Sequence, residues 1–80
     1  MDIKDVIVKR FLALCEEKNI KINELATLSG VTPSTAYSMM DPLRRDISIR
    51  TIKKFCDGLE ITIGEFFSTE EFDNLEQEIR

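Results

Sequence analysis

The sequence predicts an all-α fold formed by one small domain. Apolar residues recur every three or four positions along successive segments, which is the spacing of a helix with one buried face. Favoured helix-capping residues precede several of these segments, most clearly at Thr32-Pro33. A chain of 80 residues forms one domain rather than two. We therefore expect a single domain over residues 1–80, made of helices without strands.

The first helix is predicted over about residues 3–18. Asp2 and Asp5 suit the positive N-terminal end of a helix. Its apolar stripe follows helical spacing and contains Ile3, Ile7, Phe11, Leu14 and Lys18, with Val6 and Cys15 beside it. Lys4, Lys9 and Arg10 are expected mostly away from that stripe.

Two short helices are predicted next, over about residues 22–28 and 33–40. Gly30 separates them, because glycine adopts a positive φ at a helix end without steric cost. Thr32-Pro33 begins the second of the two helices. Asp41-Pro42 ends it, since a residue before proline is pushed out of the helical region.

The fourth helix is predicted over about residues 49–57, between a capping Ser48 and a terminating Gly58. Its apolar stripe contains Ile49, Ile52, Phe55 and Cys56, with Leu59 just beyond. Residues 43–47 before it are expected to form a charged loop.

Two further helices are predicted from capping-box sequences. Thr62 and Glu65 open a short helix over about residues 63–67. Ser68 and Glu71 open an acidic amphipathic helix over about residues 69–78, in a terminal segment that extends to residue 80.

The core is predicted from the apolar stripes and from the turn between the second and third helices. Ala26 must be small because these two helices cross there, and Cys15 is expected near Met40. The predicted core residues are Leu14, Leu25, Ala26, Val31, Ala36, Met39, Ile52, Phe55 and Leu59.

Composition argues against an enzyme, a metal site or a cofactor. The chain has no histidine, which removes the commonest general base and a frequent metal ligand. Cys15 and Cys56 fall in apolar helical patterns, where a free thiol packs as a small hydrophobe. Redox sensing is the alternative role for them, and no motif supports it. The three glycines lie too far apart to form a phosphate-binding loop, and we expect no small-molecule substrate.

The sequence also argues against a membrane protein. No apolar run approaches the roughly 18 residues that a membrane-spanning helix needs. The N-terminal residues include acids and lack the apolar centre of a signal peptide. We therefore expect a cytoplasmic protein without a membrane partner.

The net charge of −4 is unevenly distributed along the chain. Residues 1–58 hold ten Lys or Arg against eight Asp or Glu, whereas residues 59–80 hold one against seven. Residues 44–54 contain Arg44, Arg45, Arg50, Lys53 and Lys54 against a single acid, Asp46. The distribution of charge matters more than its total for nucleic-acid binding, so a DNA partner is compatible with the overall acidity.

Residues 22–40 have the pattern of a helix-turn-helix unit, which is two helices joined by a tight turn containing glycine. Inward-facing Leu25, Val31, Ala36 and Met39 would hold its second helix against its first. The outward face of that second helix has no long apolar residue and bears hydroxyl groups, which can meet phosphates or base edges.

Residues 7–67 resemble the Cro/CI-like (XRE-type) helix-turn-helix family of phage and bacterial repressors. The resemblance is carried by the order and spacing of six segments: Glu24-Leu25-Ala26, Ser29-Gly30-Val31-Thr32, Ser34-Thr35, Ile49-Arg50-Thr51-Ile52, Phe55-Cys56-Asp57-Gly58-Leu59 and Ile63-Gly64-Glu65-Phe66-Phe67. It implies a compact five-helix, lambda-repressor-like domain, here with an extra C-terminal helix. It also implies a transcriptional regulator, most often a repressor, whose third helix enters the major groove and which acts as a homodimer on double-stranded DNA.

Several positions depart from the family pattern. Ile22 stands where members often have a phosphate-contacting Gln, and Pro33-Ser34 stand where they often have a base-reading Gln. Cys15 and Met40 stand where many members pair an Arg with a Glu. The missing Gln residues and the net acidity favour the alternative function: a protein-interaction module on the same scaffold, antitoxin-like or anti-repressor, with weak or no DNA binding.

The predicted DNA-binding residues lie on the third helix and on the basic segment after it. They are Thr32, Pro33, Ser34, Thr35, Tyr37, Ser38, Arg44, Arg45 and Arg50. The alternative for Thr32, Ser34 and Thr35 is simple helix capping. Tyr37 has the alternative of half-buried packing, and the three arginines that of an ordinary solvated loop.

A homodimer interface is a second expectation for the C-terminal residues. Small domains with spare apolar helix faces often bury them against a partner. The residues concerned are Phe66, Phe67, Phe72, Leu75 and Ile79. The sequence is equally compatible with this stripe folding back on its own core.

Overall fold

A computed structural model describes residues 2–44 and 46–79, and within these ranges it contains helices and no strand. The described residues form α1 Ile3–Lys18, α2 Ile22–Leu28, α3 Pro33–Met40, α4 Ile49–Gly58, α5 Ile63–Phe67 and α6 Glu70–Asp73. The predicted all-α fold is thus confirmed, and the bounds of the first five helices agree with prediction to within one residue. None of these helices is long and apolar enough to cross a bilayer.

The prediction for the terminal helix was wrong in its length. Helix α6 ends at Asp73 rather than near residue 78. Its N-cap is Thr69, which makes no side-chain capping bond, so the second capping box does not form. Acidic residues continue after Asp73, as Glu76 and Glu78. In a longer helix they would lie near its negative C-terminal end, and Glu76 would lie one turn from Asp73; both interactions are unfavourable.

Helix α2 lies at the centre of the bundle, where it contacts α1, α3 and α4. Ala26 in α2 and Ala36 in α3 are fully buried. Helix α4 also packs against α5, and α6 packs against α1. The helix-turn-helix unit α2–α3 is therefore held from behind by α1 and α4.

Three helices end in the same kind of turn. Two overlapping backbone bonds close each turn, one spanning five residues and one spanning three, which is the Schellman arrangement. The five-residue bonds are Ile20 N to Cys15 O at 2.9 Å, Val31 N to Ala26 O at 3.0 Å and Ile61 N to Cys56 O at 3.0 Å. Each turn needs one left-handed residue, and these are Asn19, Gly30 and Glu60, with φ of 56°, 70° and 58°. The next residues, Ile20, Val31 and Ile61, all pack against the core.

Gly58 has a different role from the one predicted. It is the last residue of α4, and the left-handed residue that turns the chain is Glu60. A Cβ atom at position 58 would lie 2.3 Å from Ser29 Oγ and 3.0 Å from Ser29 N. Glycine is required here because α4 passes close to the backbone at the end of α2.

The core contains every predicted residue except Val31, which is half-buried at its edge. Its centre is a set of ring contacts that joins all five phenylalanines. The Phe11 ring lies 4.3 Å from that of Phe66 and 5.3 Å from that of Phe55, centroid to centroid. The Phe67 and Phe72 rings lie 4.9 Å and 5.8 Å from that of Phe66. These rings bring the C-terminal residues onto the chain's own core.

Two isoleucines in the predicted stripes of α1 and α4 are exposed. Ile49 is 63% exposed although it shares the stripe of Ile52, and Ile3 is 46% exposed. Each is the first residue of its helix. Helical spacing predicts which way such a side chain points, but it does not predict whether another helix covers it. Lys4, expected mostly away from the stripe, is buried.

Candidate nucleic-acid interface

Helix α3 has one buried face and one free face. Ala36 and Met39 are buried, whereas Pro33, Ser34 and Tyr37 are exposed, Tyr37 by 56%. Thr35 and Ser38 are half-buried at the boundary between the two faces. The structure thus brings the predicted α3 residues onto one side of the helix, with Ser34 and Tyr37 as the most accessible side chains that carry polar atoms.

The hydroxyl groups at the start of α3 form a cluster. Thr32 Oγ1 lies 2.9 Å from Ser34 Oγ and 3.1 Å from Thr35 Oγ1. Thr32 Oγ1 also accepts a bond from the Thr35 backbone N–H at 3.3 Å, which caps the helix. Capping therefore accounts for the side chain of Thr32, while Ser34 keeps a rotatable hydroxyl at the surface.

The N-terminal ends of the helices differ in their charge. Asp5, Glu24 and Glu65 stand in the first turns of α1, α2 and α5, where a carboxylate offsets the positive end of the helix dipole. The first turns of α3 and α4 contain no acid, and both helices are described in full. These two helices keep an uncompensated positive end, which favours an anion such as a phosphate.

Helix α2 begins with Ile22, where the family often has a phosphate-contacting Gln. Ile22 is half-buried and packs against the core. Glu24 accepts a bond from the Lys21 backbone N–H at 3.3 Å, so an acidic side chain of the protein itself occupies this helix end. A phosphate at this position would meet a carboxylate.

The loop after α3 carries the predicted basic contacts. Arg44 is exposed, and its backbone N–H donates to Asp41 O at 3.0 Å, which closes a turn at the end of α3. Arg50 is exposed in the first turn of α4. Arg45 lies outside the described residues. Leu43 between these basic residues and the helix is 88% exposed.

Two side chains that link helices were not predicted from the sequence. Lys4 donates from Nζ to Asp41 O at 2.6 Å, linking α1 to the end of α3. Arg10 donates to Phe66 O at 2.9 Å and to Glu65 O at 3.0 Å, linking α1 to the end of α5. The signal for Lys4 was its position one turn before Ile7, on the buried side of α1.

The two cysteines are free and buried. Burial raises the pKa of both thiols, and Asp57 raises that of Cys56 further, while Lys53 and Arg10 oppose the shift. The thiols therefore stay protonated and unreactive at neutral pH. The described residues hold no cluster of three or more His, Cys, Asp or Glu suited to a metal ion.

Residues 10–71 match the model of a protein family described as the Cro/C1-type HTH DNA-binding domain. The chain belongs to this family. It is also similar to a solved structure described as the crystal structure of the prophage Lp1 protein 11, with 28% sequence identity and a TM-score of 0.83. The match covers 94% of this chain and 100% of that one. A comparison with curated proteins finds no match.

Membership of this family fits the geometry of α2 and α3. The family-model match includes the whole helix-turn-helix unit and the basic segment after it, and extends to α6. The match places the chain in a family of DNA-binding domains. Its all-α fold is the one that the sequence predicted.

Proposed function

We propose that this Cro/C1-type domain is a sequence-specific transcriptional regulator, most simply a repressor, that reads the major groove of double-stranded DNA with α3. The observation that carries the proposal is the free face of α3, with Ser34 and Tyr37 exposed above buried Ala36 and Met39. Such a protein acts by binding rather than by catalysis, in the compartment that contains the DNA.

The contacts divide by their chemistry. Arg44, Arg45 and Arg50 are assigned to phosphates, supported for Arg44 and Arg50 by their exposure on either side of the loop between α3 and α4. Ser34, Tyr37 and Ser38 are assigned to base edges or thymine methyl groups. Thr32, Pro33 and Thr35 form the helix start, whose backbone N–H groups favour a phosphate.

A homodimer would place two copies of α3 in successive major grooves, about 34 Å apart. The C-terminal stripe packs in part on the protein's own core. Phe66 is fully buried in its own core, and Phe67 and Phe72 pack against it. Phe67, Phe72 and Leu75 are half-buried and Ile79 is 81% exposed, so these four residues keep some surface for a partner.

The test is a titration of the full chain against fluorescent duplexes at several salt concentrations. Binding to phosphates requires log affinity to fall linearly with log salt concentration, by about 0.9 per contact. Selection from random duplexes should then yield sites with two related half-sites, and sedimentation should show two protein chains per duplex. Absence of salt-dependent affinity for every duplex would contradict the proposal.

The interaction-module alternative keeps one supporting observation. The chain is acidic overall, with seven of its 15 acids after residue 58. A chain that acts only on another protein would bind no duplex, selected or random, at any salt concentration. The same titration therefore separates the two functions.

A further inference from the structure

Lys4 is a buried cation at the end of the helix assigned to the DNA. Lys4 is only 4% exposed, and no other charged residue among those described is buried. A buried ammonium group requires hydrogen-bond partners because it has lost its water. The partner is Asp41 O at 2.6 Å, at the C-terminal end of α3, where unpaired carbonyl groups and the helix dipole attract a cation.

The same oxygen holds the start of the basic loop. Asp41 O accepts a second bond, from the Arg44 backbone N–H at 3.0 Å. The Asp41 side chain also accepts from the Leu43 backbone N–H, at 2.9 Å to Oδ1. A carbonyl oxygen has two lone pairs, so Asp41 O can accept a hydrogen bond from Lys4 in α1 and another from Arg44 in the loop. Lys4 therefore fixes the oxygen on which the backbone of Arg44 is anchored.

The packing around Lys4 supports this link. A shallow pocket is lined by Val8, Leu12, Met40 and Pro42, with Lys4, Asp5 and Lys9 at the same site. The first half of α1 thus lies against the end of α3 and the proline that follows it. Rotation of the α3 end relative to α1 would break the Lys4 bond and open this contact.

We propose that Lys4 is a positioning residue for DNA binding, which acts through Arg44 without touching the duplex. The proposal rests on the assignment of Arg44 to a phosphate under the proposed function. Lys4 is buried and cannot itself reach a phosphate. By holding the turn in one conformation before binding, it reduces the ordering that the complex requires.

The test compares Lys4→Met, Arg44→Ala and their double variant in the duplex titration. Lys4→Met keeps the length of the side chain and removes its donors. It should weaken binding about tenfold, the effect expected for one hydrogen bond to a charged group. The double variant should bind no more weakly than Arg44→Ala, because Lys4 acts through Arg44. Lys18→Met, which alters an exposed lysine at the other end of the same helix, is the control and should bind as the wild type does.

A second readout needs no DNA. The Arg44 amide of the free protein should exchange its hydrogen at least about tenfold faster in Lys4→Met than in the wild type. Unchanged exchange, or additive losses in the double variant, would overturn the proposal. If the wild type binds DNA and Lys4→Met binds equally well, this inference fails alone. If the wild type binds no duplex, both the proposed function and this inference are wrong.

A conservative variant keeps the test decisive if Lys4→Met does not fold. Lys4→Arg retains a donor, and it should keep both the protection of the Arg44 amide and an affinity within about threefold of the wild type. A folded Lys4→Arg protein with an unprotected Arg44 amide but wild-type affinity would overturn the proposal.

Discussion

The guanidinium of Arg10 joins α1 to the end of α5 through the residue Phe66. Its Nε donates to Phe66 O at 2.9 Å, and its central carbon lies 5.9 Å from the centroid of the Phe66 ring. The Arg10 side chain thus binds the Phe66 carbonyl group near the end of α5 and also lies near the buried ring of Phe66. A cation at a helix C-terminus is favoured by the helix dipole.

Arg10→Met should therefore lower the free energy of unfolding by about 1.5–3 kcal/mol, because it removes a charged donor from two carbonyl groups. Urea denaturation measures the change. Lys9→Met is the matched control, since the Lys9–Glu71 pair is exposed on both sides and such pairs contribute about 0–1 kcal/mol. Equal losses in the two variants would show that the contact with Phe66 adds nothing.

Gly58→Ala should destabilise the domain by about 1–3 kcal/mol, because the new methyl group overlaps Ser29 Oγ and approaches the Ser29 backbone. The Ser29 hydroxyl is buried without a hydrogen-bond partner among the described residues, so Ser29→Ala alone should cost little. Thermal unfolding of both single variants and the double variant gives their coupling. Ser29→Ala should recover part of the loss, and strictly additive effects would argue against the close approach.

Glu60→Gly should raise the free energy of unfolding by up to about 1 kcal/mol. Glu60 has a left-handed backbone, with φ of 58°, where a side chain is disfavoured by about 1–2 kcal/mol and glycine is not. Asn19, with φ of 56°, is the control, since asparagine tolerates this conformation and Asn19→Gly should change stability less. A loss of stability in Glu60→Gly would contradict the expectation.

Arg44→Ala and Arg50→Ala should each weaken binding on all duplexes alike and lower the salt slope by about one unit. Ser34→Ala and Tyr37→Ala should instead cost about 1–3 kcal/mol on the selected site and little on random DNA. Anisotropy titrations of both duplexes measure these effects. Lys18→Ala, which removes an exposed charge from the end of α1, is the control for a change in net charge alone. Arginine variants that alter sequence preference would contradict the assignment to phosphates.

The buried thiols should make stability fall at high pH. Burial raises the pKa of Cys15 and Cys56 above the ordinary value of 9.0, so at higher pH the unfolded chain releases thiol protons that the native protein retains. Stability then decreases as pH rises, and below that value the thiols contribute no slope. Urea denaturation from about pH 8 to about pH 10 should show a steeper decrease for the wild type than for a Cys15→Ala, Cys56→Ala variant. Parallel decreases would contradict this.

The positions of the first five helices could be predicted because their signals are local. Thr32, Ser48 and Thr62 cap their helices through bonds that span three residues, and the structure contains all three. Asp41, the residue before Pro42, leaves the helical region with ψ of 117°, as predicted from the proline alone. Propensity and spacing act at this range, so one sequence is enough to find them.

The remainder depended on contacts between distant residues. Lys4 and Asp41 are 37 positions apart, and Arg10 and Phe66 are 56 positions apart, so no local sequence pattern predicts either hydrogen bond. Whether Phe72 covers its own core or a partner is likewise decided by its packing against Phe67, at a ring distance of 4.8 Å. For DNA binding, the structure exposes Pro33, Ser34 and Tyr37 as predicted but half-buries Ser38, and the bases and phosphates that these residues contact stay a prediction.

The three Schellman turns also bear on how fast the chain folds. They fix the direction of the backbone within a few residues of each helix, and the described helices follow one another after segments of only 3, 4, 8, 4 and 2 residues. Helical domains with such local connections fold within microseconds to milliseconds. The exception is α1, whose Arg10 must close a loop of 56 residues to reach α5. Pairing of α5 with α1 is therefore expected to come late in folding, since closing this loop loses entropy before its contacts compensate.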